Sequence, residues 1–172
     1  LSTYQNNRDH RKIVVIDGRT AFTGGVNLAD EYINRKLRFG YWKDVGIQIQ
    51  GDAVKNFTVM FLQLWNLWEK QPVPYEPYVR AGGEERQEAG GQGFVLPFGD
   101  SPLDHEPVGK RVYLDMLNTA RRYVHIMTPY LILDDELIGS LVFAAKRGVD
   151  VSILLPHIPD KRYAFILAHT YY

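Results

Sequence analysis

Cysteine is absent from this chain of 172 residues, so neither a disulfide nor a thiolate nucleophile can contribute to it. That absence fits a reducing compartment. An excess of either charge is missing too: 20 Lys and Arg balance 20 Asp and Glu, for a formal net charge of +0. The broad basic footprint of a nucleic-acid partner is therefore lacking, which argues against a nuclease. No apolar run approaches the roughly 20 residues that span a bilayer, and no signal-peptide pattern is recognisable. What the chain does have is 45% hydrophobic and 13% aromatic residues, enough to bury the core of one domain or of parts of two.

The stretch richest in chemistry is His10-Arg11-Lys12-Ile13-Val14-Val15-Ile16-Asp17, an HxKxxxxD pattern. Its apolar, β-branched run predicts a strand. On a strand His10 and Lys12 share one face, because side chains alternate. An imidazole nucleophile beside an ammonium that can hold a phosphate oxygen suits phosphoryl or phosphodiester transfer. Asp17-Gly18-Arg19 reads as the turn of a hairpin whose second strand covers residues 20–23. That strand delivers Gly24, Gly25 and Asn27 beside the first. The two glycines are expected to let bare backbone approach an anion, with the Asn27 amide as a further donor. The competing reading is a hairpin with solvated charges and a satisfied histidine. The nearby Gly-Gly-x-Asn weighs against it.

These residues resemble the signature of the phospholipase D superfamily. The likeness is closer to its bacterial cardiolipin synthases, through Gly24 to Tyr32 (Gly-Gly-x-Asn-x-x-Asp-Glu-Tyr) and Trp42-Lys43-Asp44. It continues through Thr128-Pro129-Tyr130 and Arg147-Gly148-Val149-Asp150-Val151 to Leu155-Pro156. The resemblance implies an α/β fold of two similar lobes, each a mixed sheet flanked by helices, with the active site between the lobes. It implies His10, Lys12 and Asp17 as the catalytic set, Asp44 as a carboxylate orienting His10, and Gly25 and Asn27 at the substrate phosphate. Glu106 and Tyr130 are candidates for the pocket lining. A loop carboxylate is more often solvated, and a packing role for Tyr130 behind its proline turn is equally open. Superfamily members carry HxKxxxxD twice. Here it occurs once: His105, His125, His157 and His169 have no lysine two residues later. The chain is therefore expected to hold the end of one lobe (1–70), a Pro- and Gly-rich linker (71–92) and the start of a second lobe (93–172) whose motif is missing.

Between these landmarks, residues 28–39 read as a helical turn and a loop at the rim of the site. Residues 42–50 alternate as a strand. Asp52 is the expected N-cap of a helix in which Val54, Phe57, Phe61, Leu64, Trp65 and Trp68 form a core stripe. Residues 94–98 suggest a short strand, and 109–122 a helix with Tyr113, Met116, Leu117 and Ala120 inward. Strand 123–128, helix 134–147 (capped by Asp134 and closed by Gly148) and strand 150–155 have the size of a βαβ unit, and 160–172 reads as a final helix.

The leading expectation is a phosphatidyltransferase that makes cardiolipin from two phosphatidylglycerol molecules, releases glycerol and passes through a phosphohistidine. Phosphatidylglycerol and an anionic membrane surface are the expected partners. The sequence has no metal-ligand cluster, so no metal or cofactor is expected in the chemistry. The resemblance implies membrane anchors outside this chain and a cytoplasmic catalytic domain, with the chain itself soluble. Two alternatives stay open: hydrolysis of a phospholipid or nucleic-acid phosphodiester by water, and a catalytically incomplete lipid-binding module. An incomplete second sheet would leave an open edge, so pairing into a homodimer is also expected.

Overall fold

A computed structural model describes residues 9–67, 69–80, 93–101 and 105–171. The chain divides into two compact units, residues 1–98 and 99–172. Trp68, residues 81–92 of the expected linker, residues 102–104 and Tyr172 of the expected final helix lie outside the described residues. Both units mix helix and sheet, so the chain is α/β.

The first unit is built on three antiparallel strands in the order β1 (Lys12–Ile16), β2 (Thr20–Gly24), β3 (Gly46–Gln50). The hairpin between β1 and β2 closes as expected. Asp17 (φ 54°) and Gly18 (φ 62°) both adopt positive φ, and the Arg19 amide donates to the Ile16 carbonyl at 3.0 Å. An Asp-Gly pair suits this turn because its backbone matches the twist of the flanking strands. Alternation then sorts the faces. Ile13, Val15, Ala21 and Ile49 pack with Val54, Phe57 and Met60 of helix α1 (Val54–Asn66). Lys12, Val14, Ile16 and Phe22 occupy the opposite face, with Val14 paired opposite Phe22.

Three expectations for this unit need correction. The N-cap of α1 is Ala53, which makes no side-chain cap bond, and Asp52 pairs instead with Lys55 Nζ at 3.2 Å. Of the expected stripe Val54 and Phe57 are buried, joined by Leu62 from outside it, but Phe61 and Trp65 stay half exposed, stacked with ring centroids 5.9 Å apart. A three-stranded sheet is too small to cover the whole stripe. Residues 94–98 form no strand, since β-propensity without a neighbouring strand leaves the ladder unmade. The described start of the expected linker is also structured. Asn66 exchanges two hydrogen bonds with the backbone of Val73 (3.0 and 2.9 Å), and a short helix α2 (Glu76–Arg80) follows. Pro77 is tolerated in its first turn, where an amide proton has no partner anyway.

The second unit carries α3 (Val108–Thr119), β4 (Tyr123–Met127), α4 (Asp135–Lys146), β5 (Asp150–Leu154) and α5 (Arg162–Ala168), with a 3-10 turn at His169–Tyr171. The final helix is thus shorter than expected. Strands β4 and β5 pair in parallel, Tyr123 opposite Asp150 through Met127 opposite Leu154, so the βαβ reading holds. Asp134 caps α4 by accepting the Leu137 amide at 3.0 Å, and Gly148, with φ 86°, closes it. Of the four α3 residues expected to face inward, only Leu117 is buried; Tyr113 and Met116 are exposed.

Helices α3 and α4 run parallel and are clasped at both ends. At the start, Lys110 Nζ meets Asp134 at 2.6 Å and also Glu136. Hydrogen bonds from Asp134 first and Glu136 second raise the Lys110 ammonium above its ordinary value, and the Lys110 bond holds the Asp134 carboxyl below the carboxylate range. At the far end Arg147 donates to the carbonyls of Asn118 (2.9 Å) and Leu117 (2.8 Å). These are last-turn carbonyls with no partner inside α3. Arg147→Ala is therefore expected to destabilise the unit by about 1–2 kcal/mol, with Arg147→Lys recovering only part because it cannot span two carbonyls at once. Urea unfolding of the chain reads this, and an unchanged midpoint would refute the clasp.

Candidate active site

The site assembles at the end of the first unit's sheet where β1 begins. Before it, the Asp9 carboxylate accepts the Arg11 amide (3.0 Å) and the Arg11 Nε (3.0 and 3.1 Å to its two oxygens). Partial burial opposes ionisation of Asp9, but these Arg11 bonds outweigh it and hold the carboxyl below the usual range. The turn carries His10 between them, exposed to solvent. Lys12, the first residue of β1, folds back over it. Its Nζ lies 3.0 Å from both Nδ1 and Nε2 of His10 and donates to the His10 carbonyl at 2.7 Å. A cation is therefore fixed beside the two nitrogens able to attack phosphorus. An ammonium in this place can offset the charge of an anion bound beside the ring.

Register places the other candidates. Lys12 pairs with Gly24, and Gly24 pairs with Gly46. Gly25, Asn27 and Asp44 therefore lie at the same end of the sheet as His10. Asn27 is partly buried and its carbonyl accepts the Ala29 amide at 3.1 Å. Asp44 precedes the third strand, two strands from β1, a spacing of about 10 Å. Its carboxylate is engaged locally: Oδ2 accepts the Trp42 indole N–H at 3.1 Å and Oδ1 accepts the Val45 amide at 2.8 Å. It makes no hydrogen bond to His10.

The two glycines make room for close contacts within the fold. A Cβ on Gly24 would stand 2.3 Å from the Val45 carbonyl oxygen, and one on Gly25 would stand 2.4 Å from Asp44 Oδ1. The Gly25 amide donates to that same Val45 carbonyl at 3.1 Å. Their small size thus lets the segment entering β3 lie against the end of β2 and seats the Asp44 carboxylate. Asp17 also stands apart from its expected partners. It occupies the hairpin turn at the far end of β1, about 16 Å from Lys12 by strand rise. There its positive φ makes the turn.

Sequence reading missed how Asp44 is held. Asn34, at φ 60°, donates to the Trp42 carbonyl (2.7 Å) and accepts the Trp42 amide (2.6 Å), while Tyr32 packs edge-on against the indole at 4.9 Å. Nothing in an Asn eight residues before a Trp signals such a clamp. The two pocket candidates fall in the second unit. Glu106 pairs with Arg111 beside an open cleft of about 480 Å³ lined by Asp100, Ser101, His105, Glu106 and Pro107. Tyr130 lies just past the carboxyl end of β4, where its hydroxyl donates to Asp160 at 2.5 Å. Among the described residues no group of three or more His, Cys, Asp or Glu could hold a metal ion, and no helix is long and apolar enough to cross a membrane.

The second unit thus holds a parallel βαβ unit, and the first a histidine-lysine pair at a sheet end. The family model described as cardiolipin synthase, PLD-like domain, matches residues 113–170, which fall within the second unit. The whole chain is similar to longer bacterial proteins. A Streptococcus mutans protein described as "Uncharacterized protein" is 55% identical over 172 residues, 100% of this chain and 36% of that protein. A Bacillus cereus cardiolipin synthase 2 is 38% identical over 167 residues, 97% of this chain and 32% of its own length. An Alkalihalophilus pseudofirmus cardiolipin synthase is 35% identical over 167 residues, 97% of this chain and 33% of its own. The chain is thus a homologue of the phospholipase D-like cardiolipin synthases and spans about a third of the length of the curated relatives it matches. No solved structure matches it.

Proposed function

We propose that this chain is part of a phosphatidyltransferase that makes cardiolipin from two phosphatidylglycerol molecules. The observation that carries the reading is the Lys12 ammonium held 3.0 Å from both ring nitrogens of His10. Similarity to proteins named cardiolipin synthase supports the choice of lipid. In the proposed reaction one histidine, His10 or its counterpart in a second lobe, attacks the phosphorus of the donor. A P–N bond forms as the bond to the glycerol oxygen breaks, and the other histidine protonates the departing glycerol. That histidine then takes the proton from a hydroxyl of the second phosphatidylglycerol, whose oxygen displaces the imidazole. Lys12 and Asn27 stabilise charge on the phosphate oxygens throughout. Asp17 belongs to this proposal as the residue that shapes the hairpin, and Asp44 as the carboxylate that fixes the Trp42 segment at the rim. Glu106 and Tyr130 are assigned to the second lobe's share of the pocket.

The two similar lobes, the membrane location of the full-length protein and the anionic bilayer as its working surface belong to the same proposal. So does pairing of the isolated chain with a second copy through its open sheet edges. Product analysis tests the reading. The full-length protein, given vesicles of phosphatidylglycerol, is expected to yield cardiolipin and one glycerol per cardiolipin. Phosphatidic acid as the main lipid product would replace the transferase with a hydrolase, and binding without turnover would leave only a lipid-binding module.

A further inference from the structure

The loop between β2 and β3, residues 25–45, has a small core of its own. Tyr32 and Phe39 pack against Trp42 at centroid distances of 4.9 and 5.9 Å, and Asn34 clamps the Trp42 backbone. A loop folded this tightly has room to cover its apolar side chains. It leaves several outside. Leu28 is fully exposed, Leu37 is 72% exposed, Tyr41 is 80% exposed, and Ile33 is half exposed. Exposed apolar residues occur elsewhere on the chain as well, and what sets these four apart is the charge around them.

Charge gives the second half of the pattern. Residues 28–43 carry Arg35, Lys36, Arg38 and Lys43 against Asp30 and Glu31, a net +2 in a chain whose total is +0. Arg38 is partly committed, to Glu31 at 3.4 Å and over the Phe39 ring at 5.0 Å. Arg35, Lys36 and Lys43 are exposed and form no ion pair with any described residue. Leucine and tyrosine tips set among uncommitted cations complement one kind of surface, an anionic lipid interface. The apolar tips enter the headgroup boundary while the cations meet lipid phosphates.

We infer that residues 28–43 form a membrane-docking loop that seats the His10–Lys12 end of the sheet on an anionic bilayer. The inference rests on the lipid reading above and adds the element that reaches the lipid. The loop leaves β2 at Gly24, the pairing partner of Lys12, so a bilayer held by the loop lies against the end of the sheet that carries the reactive pair. Docking here brings headgroup phosphates to that end.

The test is flotation of the chain with vesicles of phosphatidylcholine alone or with about a third phosphatidylglycerol. Binding is expected only with phosphatidylglycerol, and it should weaken as salt rises. Leu37→Glu with Tyr41→Glu should lower partitioning about tenfold or more, while Val142→Glu, at a half-exposed apolar site on α4, should leave it unchanged. Arg35→Gln with Lys36→Gln should weaken binding and flatten its salt dependence, with circular dichroism unaltered. No binding to phosphatidylglycerol vesicles, or parent-like binding by both loop pairs, overturns the inference. In the full-length protein the loop pairs should raise the apparent KM for vesicle substrate. An unchanged KM, as expected were the loop covered by other parts of the protein, also overturns it. The two readings fail separately. Loop-dependent flotation without cardiolipin removes the transferase alone, and cardiolipin formation with loop-independent flotation removes the docking loop alone.

Discussion

His10→Ala in the full-length protein is expected to abolish phosphatidyl transfer, lowering kcat by about 10⁴-fold or more. The size of the loss follows from the proposed chemistry. Among the described residues the neighbouring amine, Lys12, cannot stand in for the attacking or protonating nitrogen, because it is held against the ring and the His10 carbonyl. Lys12→Ala should cost less, about 10²–10³-fold in kcat, since it removes one stabilising charge and leaves the nucleophile. Lys12→Arg should restore little, because a planar guanidinium cannot lie equally close to both ring nitrogens as the compact ammonium does. Rates of cardiolipin formation, with acid-labile phosphohistidine sought after a rapid quench, give the measurement. Near-normal turnover by His10→Ala would end the assignment. Because His10 is exposed and precedes β1, the substitution should leave unfolding unchanged, which separates lost chemistry from lost structure.

How much of this was legible beforehand depended on whether local chemistry or tertiary contact decided the outcome. The Asp17-Gly18 turn and the βαβ unit from β4 to β5 follow from residues acting on their immediate neighbours, as do the Asp134 cap and the stop at Gly148. All four were readable. The pairing of His10 with Lys12 was readable for the same reason, since two residues of extended chain bring them to one face. Other outcomes were set by what lies across the fold. Whether Phe61 and Trp65 are covered depends on the width of the sheet beneath α1, which their spacing does not encode. Residues 94–98 have strand-forming side chains and no partner strand. Gly24 and Gly25 announced that something approaches closely, but not that the Val45 carbonyl and the Asp44 carboxylate would do so. The span from His10 to Asp17 reads as one motif in sequence. On a strand it separates its two ends.

Gly24→Ala should be the most damaging small substitution in the first unit. The added methyl carbon would meet the Val45 carbonyl oxygen at 2.3 Å and the Gly46 Cα at 3.0 Å, and both are backbone. Neither can rotate aside. Relief requires β2 and β3 to separate at the Gly24–Gly46 pair, which weakens the Gly25 to Val45 hydrogen bond as well. A cost of about 2–3 kcal/mol is expected, at the upper end for overpacking because backbone rather than side chain must yield. Gly25→Ala makes the contrast. Its methyl would meet a carboxylate, Asp44 Oδ1 at 2.4 Å, which can swing away at the expense of its bonds to Trp42 and Val45. Stability should then fall less, by about 1 kcal/mol, while the Trp42 segment loses its fixed position. Urea denaturation of both variants ranks the two costs, and Trp42 fluorescence reports the displaced indole. Equal stability of Gly24→Ala and the parent would mean that β3 does not lie against β2 as described. Parent-like fluorescence in Gly25→Ala would mean that Asp44 does not hold the Trp42 ring.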